Sequence, residues 1–176
     1  MAAESVPGQT VQMAKAPLRI AAPPPAPTVT VNRTVPNVTP PSPDLKFSAN
    51  PTDAEIFLAR VFDQPIVSIG KGGSLAENKD LAAALLAYRN RQDLDDASAI
   101  ENFLQVHPDS PRYLSLLVQL GSHYRHTSQF SKALAAWQQV WESGKNITDL
   151  NGRQVVDQAA GDWASLLVTL GRQDDL

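Results

Sequence analysis

Cysteine is absent from the 176 residues, which excludes disulfide frameworks, thiolate nucleophiles and Cys-based zinc sites. Reduced and oxidised compartments both tolerate such a chain, so the absence leaves localisation open. Histidine is scarce, present only as His107, His123 and His126. Charge of one sign is not in excess: 15 Lys and Arg face 18 Asp and Glu, for a formal net charge of −3. That balance gives no reason to expect a nucleic acid partner. Long apolar runs are missing too, since no stretch approaches the roughly 18 apolar residues of a membrane-spanning helix. Glu4, Gln9, Gln12, Lys15 and Arg19 interrupt Met1 to Ile20, which therefore does not read as a secretory signal.

Proline is abundant, but only in one place: 11 of 14 lie in the first 51 residues, as in Pro23-Pro24-Pro25-Ala26-Pro27 and Pro40-Pro41-Ser42-Pro43. Each removes a backbone donor and fixes φ, so residues 1–50 are expected to form a disordered, Pro-rich tail or linker. Composition changes at Asn50. Thr52-Asp53-Ala54-Glu55 is a capping box opening a short helix, and Pro65 bars its continuation. A Gly-containing loop follows to 74, with a short extended piece at Ile66-Val67-Ser68-Ile69. A second capping box, Ser74-Leu75-Ala76-Glu77, opens a helix to about Arg89.

The remaining chain reads as antiparallel helix pairs, and the fold class is all-α. Ala99, Ile100, Phe103 and Leu104 define a helix ended by Pro108. Ser110-Pro111 suits a helix start, and Leu114, Leu117, Leu120, Gly121 and Tyr124 form its apolar stripe. Thr127 or Ser128 is expected to cap the next helix, with Phe130, Ala133, Leu134, Trp137, Val140 and Trp141 inward. A polar connection at 146–152 leads to a last helix bearing Val155, Val156, Ala159, Trp163, Leu166, Leu167 and Leu170.

Leu117-x2-Leu120-Gly121-x2-Tyr124, then Phe130, Ala133 and Trp137, resembles the tetratricopeptide repeat without an internal gap. Small residues let two helices approach, and large ones fill the space between them. Residues 112–145 carry the clearest unit, 75–110 a divergent one, and 153–176 an incomplete one. The resemblance implies an α-solenoid. Leu170-Gly171-Arg172-Gln173-Asp174-Asp175-Leu176 looks like the turn before a second helix, so the apolar side of helix 155–170 is expected to lack its usual cover. A fragment of a longer protein is the first expectation, and self-association through that face the competing one.

Residues 51–176 also resemble the N-terminal helical region of very large bacterial RHS-repeat proteins. The match rests on Pro51-Thr52-Asp53-Ala54-Glu55-Ile56-Phe57-Leu58-Ala59-Arg60-Val61-Phe62-Asp63-Gln64-Pro65, on Leu81 to Tyr88, and on the Gly121 repeat, in that order. The likeness implies secretion or surface association, with a downstream peptidase-like domain and RHS arrays. None of the downstream Cys, His or RHS motifs is present, so no catalytic role carries over.

Local motifs suggest little chemistry. His123 and His126, three apart on a helix, form a candidate metal pair without an obvious third ligand, and an exposed pair is expected. Asp93, Asp95 and Asp96 begin like a calcium loop, but Ser98 and Leu104 stand where Gly and Glu are required. Gly70-Lys71-Gly72-Gly73-Ser74 lacks the order of a phosphate-binding loop. Asn32-Arg33-Thr34, Asn37-Val38-Thr39 and Asn146-Ile147-Thr148 are sequons by pattern. No catalytic constellation stands out, no metal or cofactor is implied, and the chain reads as non-enzymatic.

Protein–protein interaction remains. By the repeat resemblance, the first helix of each pair lines a concave groove through Ser115, Val118, Ser122 and Arg125, then through Gln158, Gly161, Ser165 and Val168. The expected partner is a protein or peptide, or a downstream domain of the same polypeptide. An accessory domain packing on a downstream peptidase-like domain, or a self-associating assembly module, is the alternative.

Overall fold

A computed structural model describes residues 44–172 and 174. Residues 1–43 of the expected tail lie outside the described residues. Among those described, six helices follow in order: α1 (Asp53–Leu58), α2 (Leu75–Arg89), α3 (Ser98–Val106), α4 (Tyr113–His126), α5 (Phe130–Gly144) and α6 (Leu150–Thr169). No strand occurs among the described residues, so the expected extended piece at Ile66–Ile69 forms no ladder.

Local signals start the helices, but tertiary contacts take part of each signal. Thr52 accepts the Glu55 N–H at 3.3 Å, and Ser74 accepts the Glu77 N–H at 3.2 Å. The reciprocal arm of both capping boxes goes elsewhere. Glu55 accepts from the Ser48 N–H at 3.1 Å, and Glu77 from the Ser110 hydroxyl at 2.6 Å. Replacing Ser74 by Ala removes only the cap. It is expected to cost about 1 kcal/mol, read as a lower urea midpoint at unchanged slope.

Other boundaries depart from expectation for identifiable reasons. Ser110 accepts the Arg112 N–H at 3.1 Å, which closes a turn one step early, so α4 starts at Tyr113 rather than at Pro111. Thr127 does not cap α5. Its hydroxyl donates to the His123 carbonyl at 3.1 Å and closes the end of α4, while Ser128 turns the chain at φ 61°. α6 begins well before Val155, because Asp149 accepts the Gly152 N–H at 2.9 Å. It ends in a Schellman arrangement: Gly171 at φ 70°, with the Arg172 N–H on the Leu167 carbonyl at 2.9 Å.

The helices pack chiefly with their sequence neighbours, and α4 also packs on α6. α4 is the central element: Leu116, Val118 and Leu120 are buried along with its polar Ser115, Gln119 and His123. Gly121 allows the closest approach. A Cβ there would overlap the Trp137 indole, which is fully buried and donates to the Val118 carbonyl at 3.3 Å.

Three burial expectations change. Leu45 and Phe47 of the supposed tail pack against the core. Isolated apolar residues in irregular chain show no period, yet they can seal an edge. Phe130 and Trp141 are exposed, although both stand at helical spacing from the buried Trp137. The apolar side of helix 155–170 is covered at Val155, Val156, Ala159, Leu166 and Leu167. α5 and α4 together supply that cover, which leaves Val168 and Leu170 exposed and Trp163 half-buried. No described helix is long and apolar enough to cross a membrane.

Candidate functional site

Of the expected groove residues, Ser115, Val118, Ser122, Arg125 and Gln158 line cavities between α4 and α6. Part of this cleft is already filled. Beyond α1 the chain turns at Arg60, whose φ of 46° is unusual for a residue with a side chain. It then runs without helix or strand from Gln64 to Ile69, bending at both of those residues. The Val67 N–H donates to the Ser115 hydroxyl at 3.1 Å, and the Ile69 N–H donates to the Pro111 carbonyl at 2.8 Å. Two donors two residues apart thus point one edge of this segment at α4 and the turn before it. Ile69 also reaches α6, where a Cβ on Gly152 would lie 2.9 Å from its methyl group.

Ser115 and Val118 are therefore covered rather than open, at 2% and 1% exposure. A cavity of about 390 Å³ beside the segment is lined by Pro65, Val67, Val118, Gln154 and Gln158, among others. Ser122, Arg125 and Gln158 are half-buried and line a second cavity of about 540 Å³ with Gln119, His126, Asp63 and Asp162. Ser165, two turns beyond Gln158, is exposed and does not join them. Gly161 and Val168 are also exposed. Gln119 and Asp162 escaped the repeat-position argument, since neither falls on the groove positions of that pattern.

Ser122, His126 and Asp162 share this second cavity but form no relay. The Ser122 hydroxyl donates to the Val118 carbonyl at 3.2 Å instead of to an imidazole. Gln119, Gln158 and Gln64 offer amide donors and acceptors that suit peptide groups.

The two histidines line one cavity but differ in burial. His126 is exposed, whereas His123 is buried, contrary to expectation. Tyr88 Oη lies 3.0 Å from its Nδ1, and the Asp95 carbonyl lies 3.3 Å from its Nε2. A neutral ring with Nε2–H donating to Asp95 and Nδ1 accepting from Tyr88 satisfies both contacts. Burial pushes the Tyr88 phenol above its ordinary value, which keeps it a donor. Arg91 lies 3.8 Å over the Tyr88 ring, and Phe62, leading into the extended segment, packs on it at 5.0 Å. No group of three or more His, Asp or Glu able to hold a metal occurs among the described residues.

A polar cluster fastens the start of this segment. Arg112 is 1% exposed and donates to the Asp53 carboxylate and, at 2.9 Å, to the Asn78 amide oxygen. Glu77 lies 3.6 Å away. The Asn78 amide donates to Asp53 at 2.9 Å and to the Pro51 carbonyl at 3.1 Å. The Asn78 bond first, then Arg112 and the Gly73 backbone, hold the Asp53 carboxyl below its ordinary value against the opposing effect of burial. Nothing in the local sequence marks Arg112 as buried, because its partners are up to 59 positions away. In comparisons with known proteins, no protein family, curated protein or solved structure matches this chain.

Proposed function

We propose that this chain is a non-enzymatic protein-interaction region built on tetratricopeptide-like helix pairs, and that its α4–α6 cleft takes an extended polypeptide. One observation carries the reading: the cleft already seats a non-helical stretch of this chain, Gln64 to Ile69, through main-chain hydrogen bonds at Val67 and Ile69. A surface that accepts backbone N–H groups at a two-residue interval is built to receive polypeptide, with side-chain pockets adding selectivity. The Gly121–Trp137 approach and the packing of α4 on both α5 and α6 favour the repeat reading of the scaffold. Placement in a large bacterial RHS-type protein rests on the Pro51–Pro65 motif. Self-association through helix 155–170 loses its motive, since most of that apolar side is covered.

The second cavity is the open part of the cleft, and Arg125 is its cation beside Asp63 and Asp162. Linear decapeptides displayed on phage and selected on the immobilised chain should perturb Ser122, Arg125 and Gln158 resonances when titrated back as free peptides. Arg125→Glu would gather three carboxylates in one cavity and is expected to weaken the selected peptides at least about ten-fold, or about 1.4 kcal/mol. Selection that enriches nothing, or peptides that shift resonances only outside the cleft, would sink the proposal.

A further inference from the structure

The segment that fills one end of the cleft places Ile66 in the core and Val67 and Ile69 against it, yet a cavity runs along it. Its two ends are conformationally special. Arg60 holds a left-handed φ of 46°, a conformation disfavoured for a side-chain-bearing residue. At the other end, Gly70 sits at φ 79° with open space where a Cβ would be, before Gly72 and Gly73 pack against Asp53 and Arg112. Between them only Ile66 is fully buried, at 4% exposure; Val67, Ser68 and Ile69 are half-buried, and Gln64 and Pro65 are exposed. The cleft around the segment is not filled either, for a cavity of about 390 Å³ runs beside Val67 to Val118 and Val155. By contrast, the chain on the N-terminal side is held firmly by the buried Arg112–Asp53 pair and by fully buried Ile56.

From this arrangement we infer that Gln64–Ile69 is a resident internal ligand of the α4–α6 cleft, displaced by an external extended peptide of the same character. This rests on the peptide-binding reading above and names the ligand class. That class is a short extended segment in which β-branched side chains follow a proline, as in Pro65-Ile66-Val67-Ser68-Ile69. Proline fixes φ and β-branched residues favour extended backbone, so such a segment loses little freedom on docking. Its main-chain N–H groups replace those of Val67 and Ile69 on the Ser115 hydroxyl and the Pro111 carbonyl. Its apolar side chains reach Val118 and Val155. The tethered copy competes at an effective concentration on the order of millimolar, so an external peptide must bind well or arrive at high local concentration.

Hydrogen exchange on the intact chain tests this without a mutation. The Val67 and Ile69 amides are expected to exchange about 100-fold faster than the central amides of α4, by local opening. A synthetic peptide of residues 61–70 at millimolar concentration should speed their exchange at least several-fold and shift Ser115 and Val118 resonances. Ser115→Ala, which removes one acceptor used by both the resident segment and the peptide, should raise Val67 exchange further and leave the apparent peptide affinity within about two-fold. Exchange of Val67 and Ile69 no faster than that of α4, with or without peptide, overturns the inference. So does fast exchange in which the peptide leaves Ser115 and Val118 unshifted. In either case, phage-selected peptides that still shift Ser122, Arg125 and Gln158 would leave the cleft reading standing alone.

Discussion

Replacing Trp137 by Ala is expected to remove about 3–5 kcal/mol of folding stability. The indole is fully buried, and its N–H donates to the Val118 carbonyl inside the α4–α5 seam. The loss combines transfer free energy with the cavity that the seam cannot close. Gly121→Ala should act on the same contact from the opposite side. Its added methyl would overlap the indole, and a ring without exposed surface has no free direction in which to move. Overpacking of that kind costs about 1–3 kcal/mol. The two changes should not add, because Trp137→Ala opens the room that the methyl added by Gly121→Ala requires. Urea unfolding of both single variants and the double variant checks this. Additive losses would mean that Gly121 matters for α4 itself rather than for the α4–α5 approach.

Arg112→Met should be comparably damaging, at about 3–5 kcal/mol, through loss of one partner from a buried charge cluster. The Asn78 amide oxygen would lose its donor in a buried position, and Glu77 would lose its nearest cation. Asp53 softens the effect, since 45% of its side chain remains exposed and water can replace part of the lost interaction. The damage should spread to the opening segment, because the cluster joins Pro51 and Asp53 to the starts of α2 and α4. Exchange of amides in residues 52–58 should therefore rise more than exchange in α5. Acid reports on the same cluster. The folded Asp53 carboxyl titrates below its unfolded value of about 4, so its contribution is complete above that pH and is lost as pH falls through the folded value. Asp53→Asn should flatten the acid limb of stability below about pH 4. An unchanged limb would show that other carboxylates govern acid unfolding.

That residues beyond 51 form helices, and roughly where, is written in the letters alone. Capping hydroxyls at Thr52 and Ser74, apolar residues at helical spacing and prolines at 65 and 108 act within one or two turns. Those effects are local, so a linear pattern suffices to show them. Gly121, Ala133 and Trp137 likewise foretold a close helix pair, because a small residue opposite a large one is a statement about space.

Where the polar side chains direct their hydrogen bonds was settled by the packed fold instead. Glu55 and Glu77 complete a capping box on paper, but Ser48, Ser110 and Arg112 claim their carboxylates. His123 reads as one of an exposed pair until Tyr88 and the Asp95 carbonyl are brought against it. The cleft follows the same rule. Repeat spacing aligns Ser115 and Val118 with Ser122 and Arg125 on α4, but it says nothing about residues 64–69 lying over the first two. That covering joins positions 48 apart, through Val67 and Ser115. Its stability depends on three-dimensional proximity, which no local pattern of residues encodes.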